Sequence, residues 1–436
     1  MKGITMAVSV GMAVAASAVA AAPGMQLAPL FGDHAVLQRG RIIPVWGEGA
    51  QPRARLACRL GNAVTRTRAN GDGTFVFYLP PQEAGGPFEL SVTNETRTGR
   101  VPAAEVFVCS RDVYVGEVWL CSGQSNMAFS MQQAEPGFGG ETVERLRIFT
   151  VPWNCQAGRP ADRVAGVWAV ASPAAVQGKS AVATFFGREL ERELGCAVGM
   201  LQAAVGGTLA QNWTSRTGLL AHPIGRRIVE EYEIGLSDPA VWKAPPPLDK
   251  EQLANYGPGR RYEKRSPWSE LRFAQMRLSR DIPGVGLVSA IDLGEAANIH
   301  PPDKLGVGKR LANWAMADVY GDKDRVATGP RFLSASIADG KVTVRFTDTG
   351  TGLATRDGAT AGGLMLAGAD GEFHPAEGAI KGDTLVVSSS AVPEPRAIRY
   401  AWAKNPLGAN LVNREGYPAS PFRWEMEGIN WRPLKP

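Results

Sequence analysis

Apolar positions follow three different rhythms along the 436-residue chain. From Leu27 to about Asp112 they come in short runs, at 42–46, 75–79 and 88–92, separated by Asn70-Gly71-Asp72-Gly73 and Gly85-Gly86-Pro87. Short runs broken by turn residues predict the strands of a β-sandwich. Between Val113 and Tyr320, strand-like runs at 115–120, 198–204 and 286–292 alternate with stretches of helical period at 180–194 and 304–320. That alternation predicts an α/β layer on a largely parallel sheet. Within 180–194 the apolar Val182, Phe185, Phe186 and Leu190 recur every three or four residues, with Arg188, Glu191 and Arg192 between them. One face of this helix is therefore expected to pack on the sheet. From about Arg331 onward strand patterns return at 341–346, 384–388 and 397–403, with Asp339-Gly340 and Asp370-Gly371 as turns. The stretch 235–259, with Pro245-Pro246-Pro247 inside it, has no period and reads as an exposed loop.

The first 22 residues carry a pattern of their own. Lys2 precedes an uncharged, mostly apolar run at 4–20 that ends in Ala18-Val19-Ala20, a small-x-small cleavage site. This is the layout of a secretory signal, so the mature chain is expected to begin near Ala21 and to be periplasmic or secreted. No stop-transfer charges follow the run, and no later stretch is apolar for about 18 residues, so stable membrane insertion is not expected. The expected division is a signal peptide at 1–22, a β-sandwich at 23–112, an α/β domain at 113–324 and a β domain at 325–436.

Composition narrows the class. The length exceeds what one core usually serves, and 44% hydrophobic with 20% charged residues is the mix of a globular chain. Gly 51 and Pro 31 make about a fifth of the chain, in keeping with many turns and short strands. The net charge of +5 is small, and Lys and Arg are scattered among Asp and Glu, so no nucleic-acid partner is expected. Five cysteines, at 58, 109, 121, 155 and 196, form no C-x-x-C and no Cys/His pair at zinc spacing, which predicts neither a redox motif nor a structural metal. Their odd number leaves at least one thiol unpaired within the chain.

Ligands of open α/β sheets bind beyond the carboxyl ends of the strands, which directs attention to three stretches. Gly116-Glu117-Val118-Trp119-Leu120-Cys121-Ser122-Gly123-Gln124-Ser125-Asn126-Met127 runs a strand into a turn that carries Ser125. Such a corner exposes a hydroxyl beside backbone N–H groups and suits a nucleophile; spacing alone equally allows Ser125 or Asn126 to be a helix cap. Ala203-Ala204-Val205-Gly206-Gly207-Thr208 is a second strand end, where two glycines leave N–H donors unshielded. The third, from Ala290 to Pro301, places His300 ahead of an amphipathic helix. An imidazole titrates near neutral pH and is the usual base for a serine hydroxyl, which makes Ser125 and His300 the natural pair, though a structural histidine fits the spacing too. His34, His222 and His374 read as structural or solvent-facing, and Cys121 as a packing residue.

Glu117 to Met127 resembles the nucleophile block of the sialate O-acetylesterase family, secreted members of the wider SGNH (GDSL-like) hydrolases. Leu30-Phe31-Gly32-Asp33 through Val36-Leu37-Gln38-Arg39, Gly206-Gly207-Thr208 with Trp213-Thr214-Ser215, Ile299-His300-Pro301 with Lys304, and the stretch 416–423 agree with it in the family's order. The resemblance implies an SGNH-hydrolase-like three-layer α/β/α catalytic domain flanked by N- and C-terminal β-sandwich-like domains. It implies Ser125 as nucleophile, His300 as base and then acid, and the N–H groups of Ser125 and Gly207 as the oxyanion hole. Acetyl esters of sugar hydroxyls are the implied substrates, with no metal or organic cofactor.

Two departures qualify the match. The family's Gln-Gly-Glu-x-Asn block, whose Asn completes the oxyanion hole, has no counterpart here. About forty residues separate Trp213 from Gln252-Leu253-Ala254-Asn255-Tyr256, which resembles sequence beyond that block, so the catalytic domain reads as shortened near 216–252. Losing one oxyanion donor costs roughly 10²–10³ in turnover, and a lost strand exposes a sheet edge. Asn212 is a candidate replacement donor. Asn298 also stands where many relatives have Asp, so it and Asp292 are the candidates to orient His300, with Glu295 a further possible partner; an amide there lacks the full charge that stabilises imidazolium. A weakened or inactive relative that binds glycans, and an acetyl-xylan or other polysaccharide deacetylase, are the alternative functions on the same fold.

Overall fold

The computed structural model describes residues 24–94, 106–153, 163–237 and 266–426. The expected signal at 1–22, Cys155 and most of the expected loop at 235–259 lie outside the described residues; the part of that loop that is described, up to Ser237, is helical.

Seven strands open the fold: β1 (Gln26–Leu27), β2 (Val36–Gln38), β3 (Ile43–Glu48), β4 (Arg55–Leu60), β5 (Ala63–Arg68), β6 (Phe75–Leu79) and β7 (Gly85–Asn94). Alternation decides which faces turn inward. Leu56, Cys58 and Leu60 of β4 and Phe75, Phe77 and Leu79 of β6 are buried, while Arg55, Arg59 and Tyr78 between them are exposed. The sheet β1-β3-β6 and the layer holding β4, β5 and β7 close on one core with Leu90, Val92, Val113 and Val115. Each such side chain contributes about 1.5–3 kcal/mol by leaving water.

β8 (Val106–Gly123) belongs to two layers at once. Its first half pairs antiparallel with β7, as far as Val115 opposite Gly85. Its second half, 117–123, pairs in parallel with β11 (Val198–Ala204). The expected boundary at 112/113 therefore falls inside one continuous strand. β11 pairs in parallel with β9 (Val143–Thr150) on its other edge, and β10 (Trp168–Ala171) adds antiparallel to β9. Along the free edge of 117–123 no strand pairs among the described residues, and Leu120 there is 66% exposed.

The helices among the described residues are α1 (Ser125–Ala128), α2 (Ala181–Leu194), α3 (Arg216–Leu220), α4 (Pro223–Ser237), α5 (Pro267–Asp281) and α6 (Lys304–Asp318). α2 starts where the Ser180 hydroxyl accepts the Ala183 N–H at 3.1 Å and stops at Gly195, whose φ of 63° suits a residue without Cβ. Its Phe185, Phe186 and Leu190 pack with Ala312 and Ala315 of α6 and with Leu146, Val198 and Met200 of the sheet. Gly308 lets α6 approach closely, because a Cβ there would lie 2.6 Å from Phe185 Cβ.

The strand expected at 286–292 does not form; the stretch is irregular. Among the described residues no strand pairs with its apolar run. Instead Gly286 lies against the Trp314 ring of α6, and Arg310 of α6 holds the Ser289 carbonyl at 2.6 Å.

The last quarter forms a seven-stranded antiparallel sheet between Arg331 and Glu425 over a core that includes Val342, Val344, Leu364, Leu366, Leu385, Ile398, Tyr400 and Phe422. α5 docks on it: Arg272 donates to the Ala403 carbonyl, and Phe273 meets Trp402 edge-on at 5.9 Å. The whole is a mixed α/β fold of several sheets.

Candidate active site

The Ser125 turn is built by backbone. β8 ends at Gly123 with φ 139°, a conformation that side chains rarely allow, and the chain then enters α1 with Ser125 as its first residue. The Val205 N–H donates to the Gly123 carbonyl at 2.9 Å, which joins this corner to the end of β11. Gly206 follows, and a Cβ there would lie in ordinary contact with Ser125 Cβ, at 3.6 Å. Gly207, at φ 75°, faces open space. Among the described residues no protein acceptor takes the N–H of Ser125 or of Gly207. The Ser125 hydroxyl is half-buried and donates to Gln124 Oε1 at 3.2 Å.

The turn beyond Gly207 is fixed by side chains. Thr208 Oγ1 donates to the Val205 carbonyl and accepts from Trp213 Nε1, each at 2.8 Å. Asn212 Oδ1 accepts the Leu209 N–H at 2.7 Å, and the residue is exposed. Its carboxamide thus caps a turn.

His300 lies in the irregular stretch ahead of α6, and its Nε2 is buried without a hydrogen-bond partner among the described residues. Its ring stacks on Phe129, centroids 6.4 Å apart and planes 28° from parallel. Neither sequence candidate for orienting it hydrogen-bonds the ring. Asp292 spends both oxygens on Arg310, at 2.6 and 2.7 Å. Burial raises the Asp292 carboxyl, but the hydrogen bonds and charge of Arg310 win and hold it below the usual carboxylate range. Asn298 Oδ1 accepts the backbone N–H of His300 at 2.9 Å, while its Nδ2 donates to Glu295 Oε2 at 3.0 Å. Both act on the loop that carries the ring, because a short side chain two residues away folds back on the main chain.

Ser125 and His300 share no hydrogen bond, yet their neighbours are tied together. Asn126 Nδ2 donates to the Ile299 carbonyl at 3.0 Å, and Lys304 Nζ donates to Asn126 Oδ1 at 2.7 Å. The Lys304 ammonium also sits 4.6 Å from the Phe129 ring centroid. Lys304 is 3% exposed, and burial lowers its pKa. Asn126, Phe129 and Lys304 are the site residues that sequence reasoning passed over as contributors. The signal available was a lysine and an asparagine inside the two blocks that held the serine and histidine.

Cys121, below the serine turn, is buried, and its thiol is pushed up to about 12 by that burial, as befits a packing residue. Among the described residues, no group of three or more His, Cys, Asp or Glu side chains is placed to hold a metal ion, and no helix is long and apolar enough to cross a membrane.

No family model matches the chain. The sialate O-acetylesterase of Rattus norvegicus is 27% identical over 215 residues, 45% of this chain and 39% of that protein. The sialate O-acetylesterase of Homo sapiens is 29% identical over 220 residues, covering 45% and 40%. The chain spans about two fifths of the length of the curated relatives it matches. A solved structure of a carbohydrate acetylesterase from Xanthomonas citri superposes with a TM-score of 0.77 at 29% identity, covering 92% of this chain and 99% of that one. The resemblance to sialate O-acetylesterases thus holds over 45% of the chain, and the likeness to the carbohydrate acetylesterase structure over nearly the whole fold.

Proposed function

We propose that this chain is a carbohydrate O-acetylesterase of the sialate O-acetylesterase kind, with Ser125 as nucleophile and His300 as its base. The observation that carries the reading is the hydrogen bond from Asn126 to the Ile299 carbonyl, which ties the turn bearing Ser125 to the stretch bearing His300, whose Nε2 is buried with no partner among the described residues. A buried nitrogen without a partner is costly, and a reacting hydroxyl would satisfy it. The similarity to sialate O-acetylesterases and to a carbohydrate acetylesterase supports the same chemistry.

In the proposed reaction the Ser125 hydroxyl gives up its bond to Gln124 Oε1 and donates to His300 Nε2 instead. Its oxygen attacks the acetyl carbonyl carbon while Nε2 takes the proton. The tetrahedral oxyanion accepts from the N–H groups of Ser125 and Gly207, each such donor being worth roughly 10²–10³ in rate. The sugar oxygen leaves with the proton from His300, giving acetyl-serine and a free sugar hydroxyl. His300 then deprotonates a water that attacks the acetyl-serine, and acetate leaves as the serine recovers its proton.

In the same reading an SGNH-like three-layer catalytic domain, which shares β8 with the β-sandwich-like domain before it, is followed by a second β-sandwich-like domain at 325–436, and 1–22 directs export to the periplasm or beyond. The packing of α2 and α6 on the sheet supports the middle assignment. A second reading, glycan binding without turnover, draws on the unpaired edge of β8, where the lost block's strand is missing from the described residues. Hydrolysis of p-nitrophenyl acetate, acetylated sialic acid and acetylated xylan by the wild type, Ser125→Ala and His300→Ala separates them. Turnover that vanishes in both variants is expected, and the ester preference picks the substrate. Equal background rates in all three proteins would overturn the esterase reading in favour of the binder.

A further inference from the structure

We propose that Lys304 and Asn126 form a positioning clamp that sets His300 against Ser125, in place of a carboxylate on the imidazole. The inference rests on the esterase reading for its catalytic consequence, while the clamp itself is a claim about where the histidine sits.

His300 lies on an irregular stretch, and no regular backbone ladder fixes it. A reacting pair needs its geometry held to about 0.5 Å, so other contacts must supply the precision. Asn126 supplies one. A carboxamide has an acceptor end and a donor end, and its neighbours decide which way it points. Lys304 Nζ can only donate, and the Ile299 carbonyl can only accept. Together they allow one orientation, with Oδ1 on the ammonium at 2.7 Å and Nδ2 on the carbonyl at 3.0 Å. The lysine thereby aims the Asn126 donor at the peptide immediately before His300.

A second path runs through Phe129. Its ring takes the Lys304 ammonium at 4.6 Å and stacks on the His300 ring. One buried cation therefore touches the histidine's main chain through Asn126 and its ring through Phe129. Lysine is seldom buried this deeply unless it is paired, and its partners here all belong to the segments that carry the serine and histidine. The adjacent Asp303 caps α6 by accepting the Gly306 N–H at 2.8 Å, which fixes the start of the helix that carries Lys304.

The test uses Asn126→Asp and Lys304→Met in the full chain. Asp at 126 still accepts from Lys304 but cannot donate to Ile299. Met at 304 keeps the bulk and loses the donor. With four histidines in the sequence, the imidazole Cε1–H signals of histidine-labelled protein are few, and the His300 signal is the one lost in His300→Gln. In the wild type it should carry a ring-current shift from Phe129. Both variants are expected to move it toward the unstacked position, to lower kcat about 10- to 100-fold and to leave KM within about twofold, as misplacement of a reacting group by an ångström does. A His300 signal unmoved in both variants overturns the proposal, and so does a moved signal with wild-type kcat. Where Asn126→Asp does not fold, Lys304→Met decides. If the wild type and Ser125→Ala turn over acetyl esters alike, the esterase reading fails, and the His300 signal still decides the clamp.

Discussion

The two halves of the candidate site are held in opposite ways. Ser125 stands on a corner made by main chain: Gly123 at positive φ and the Val205 to Gly123 hydrogen bond, with Gly206 in contact beyond it. His300 stands on a stretch without regular structure, held by the Arg310–Asp292 pair, the Asn298 amide and the Asn126 bridge. The first arrangement is specified within one strand and its neighbour. The second depends on side chains such as Asn126, 173 residues from its partner, and so single substitutions can loosen it without disturbing the sheet. Precision on the serine side is a property of the fold, and on the histidine side it is a property of a few contacts.

The sharpest break of this contrast is removal of the two groups proposed to react. Ser125→Ala and His300→Ala should each lower acetyl-ester turnover by about 10⁴-fold or more, and the double variant should be no worse than either, as for residues acting as a unit. Additive losses in steady-state assays would mean that the two do not work together.

Next in size is Arg310→Met, which strands the Asp292 carboxylate that anchors the histidine stretch. Removing one partner of a largely buried pair costs about 3 kcal/mol. Because the folded-state pKa of Asp292 is lowered, the pair's contribution is present above the ordinary carboxylate pKa near about 4 and is lost as pH falls through the lowered folded value. Urea midpoints of wild type and variant should therefore differ at neutral pH and converge in strong acid.

A smaller effect sharpens the serine side. Asn212→Asp keeps the oxygen that caps the Leu209 N–H and removes the amide donor. Turnover should stay within about tenfold of wild type, whereas an oxyanion donor would cost roughly 10²–10³. Smallest of all, Leu120→Lys on the free edge of β8 should change stability by no more than about 0.5 kcal/mol, read by thermal melting, while light scattering reports less self-association.

Much of the serine side was legible in sequence because it rests on local rules. The apolar period of 180–194 gave α2, the run at 198–204 gave β11, and a strand passing into Gly-Gln-Ser marked the corner. The histidine side was harder to read. An apolar run at 286–292 looks like a strand, but no strand pairs with it among the described residues; contacts with Trp314 and Arg310 of α6 hold it instead. Asp292 looked available to the imidazole because nothing in the sequence reveals that Arg310, one residue type among many on α6, claims both its oxygens. The roles of Asn126 and Lys304 come from contacts across 173 and 178 residues, beyond the reach of any local period.

β8 has a consequence for how the protein can be divided. Val113 and Val115, both fully buried, face the N-terminal core, and a few residues later the same strand delivers Ser125 to the site. Trimming the chain at 112 to obtain a smaller protein would strip the neighbours from those valines and leave the strand half unsupported. The β layer at the start of the chain is in this sense scaffolding for the chemistry, and melting it should silence the site in the same cooperative step.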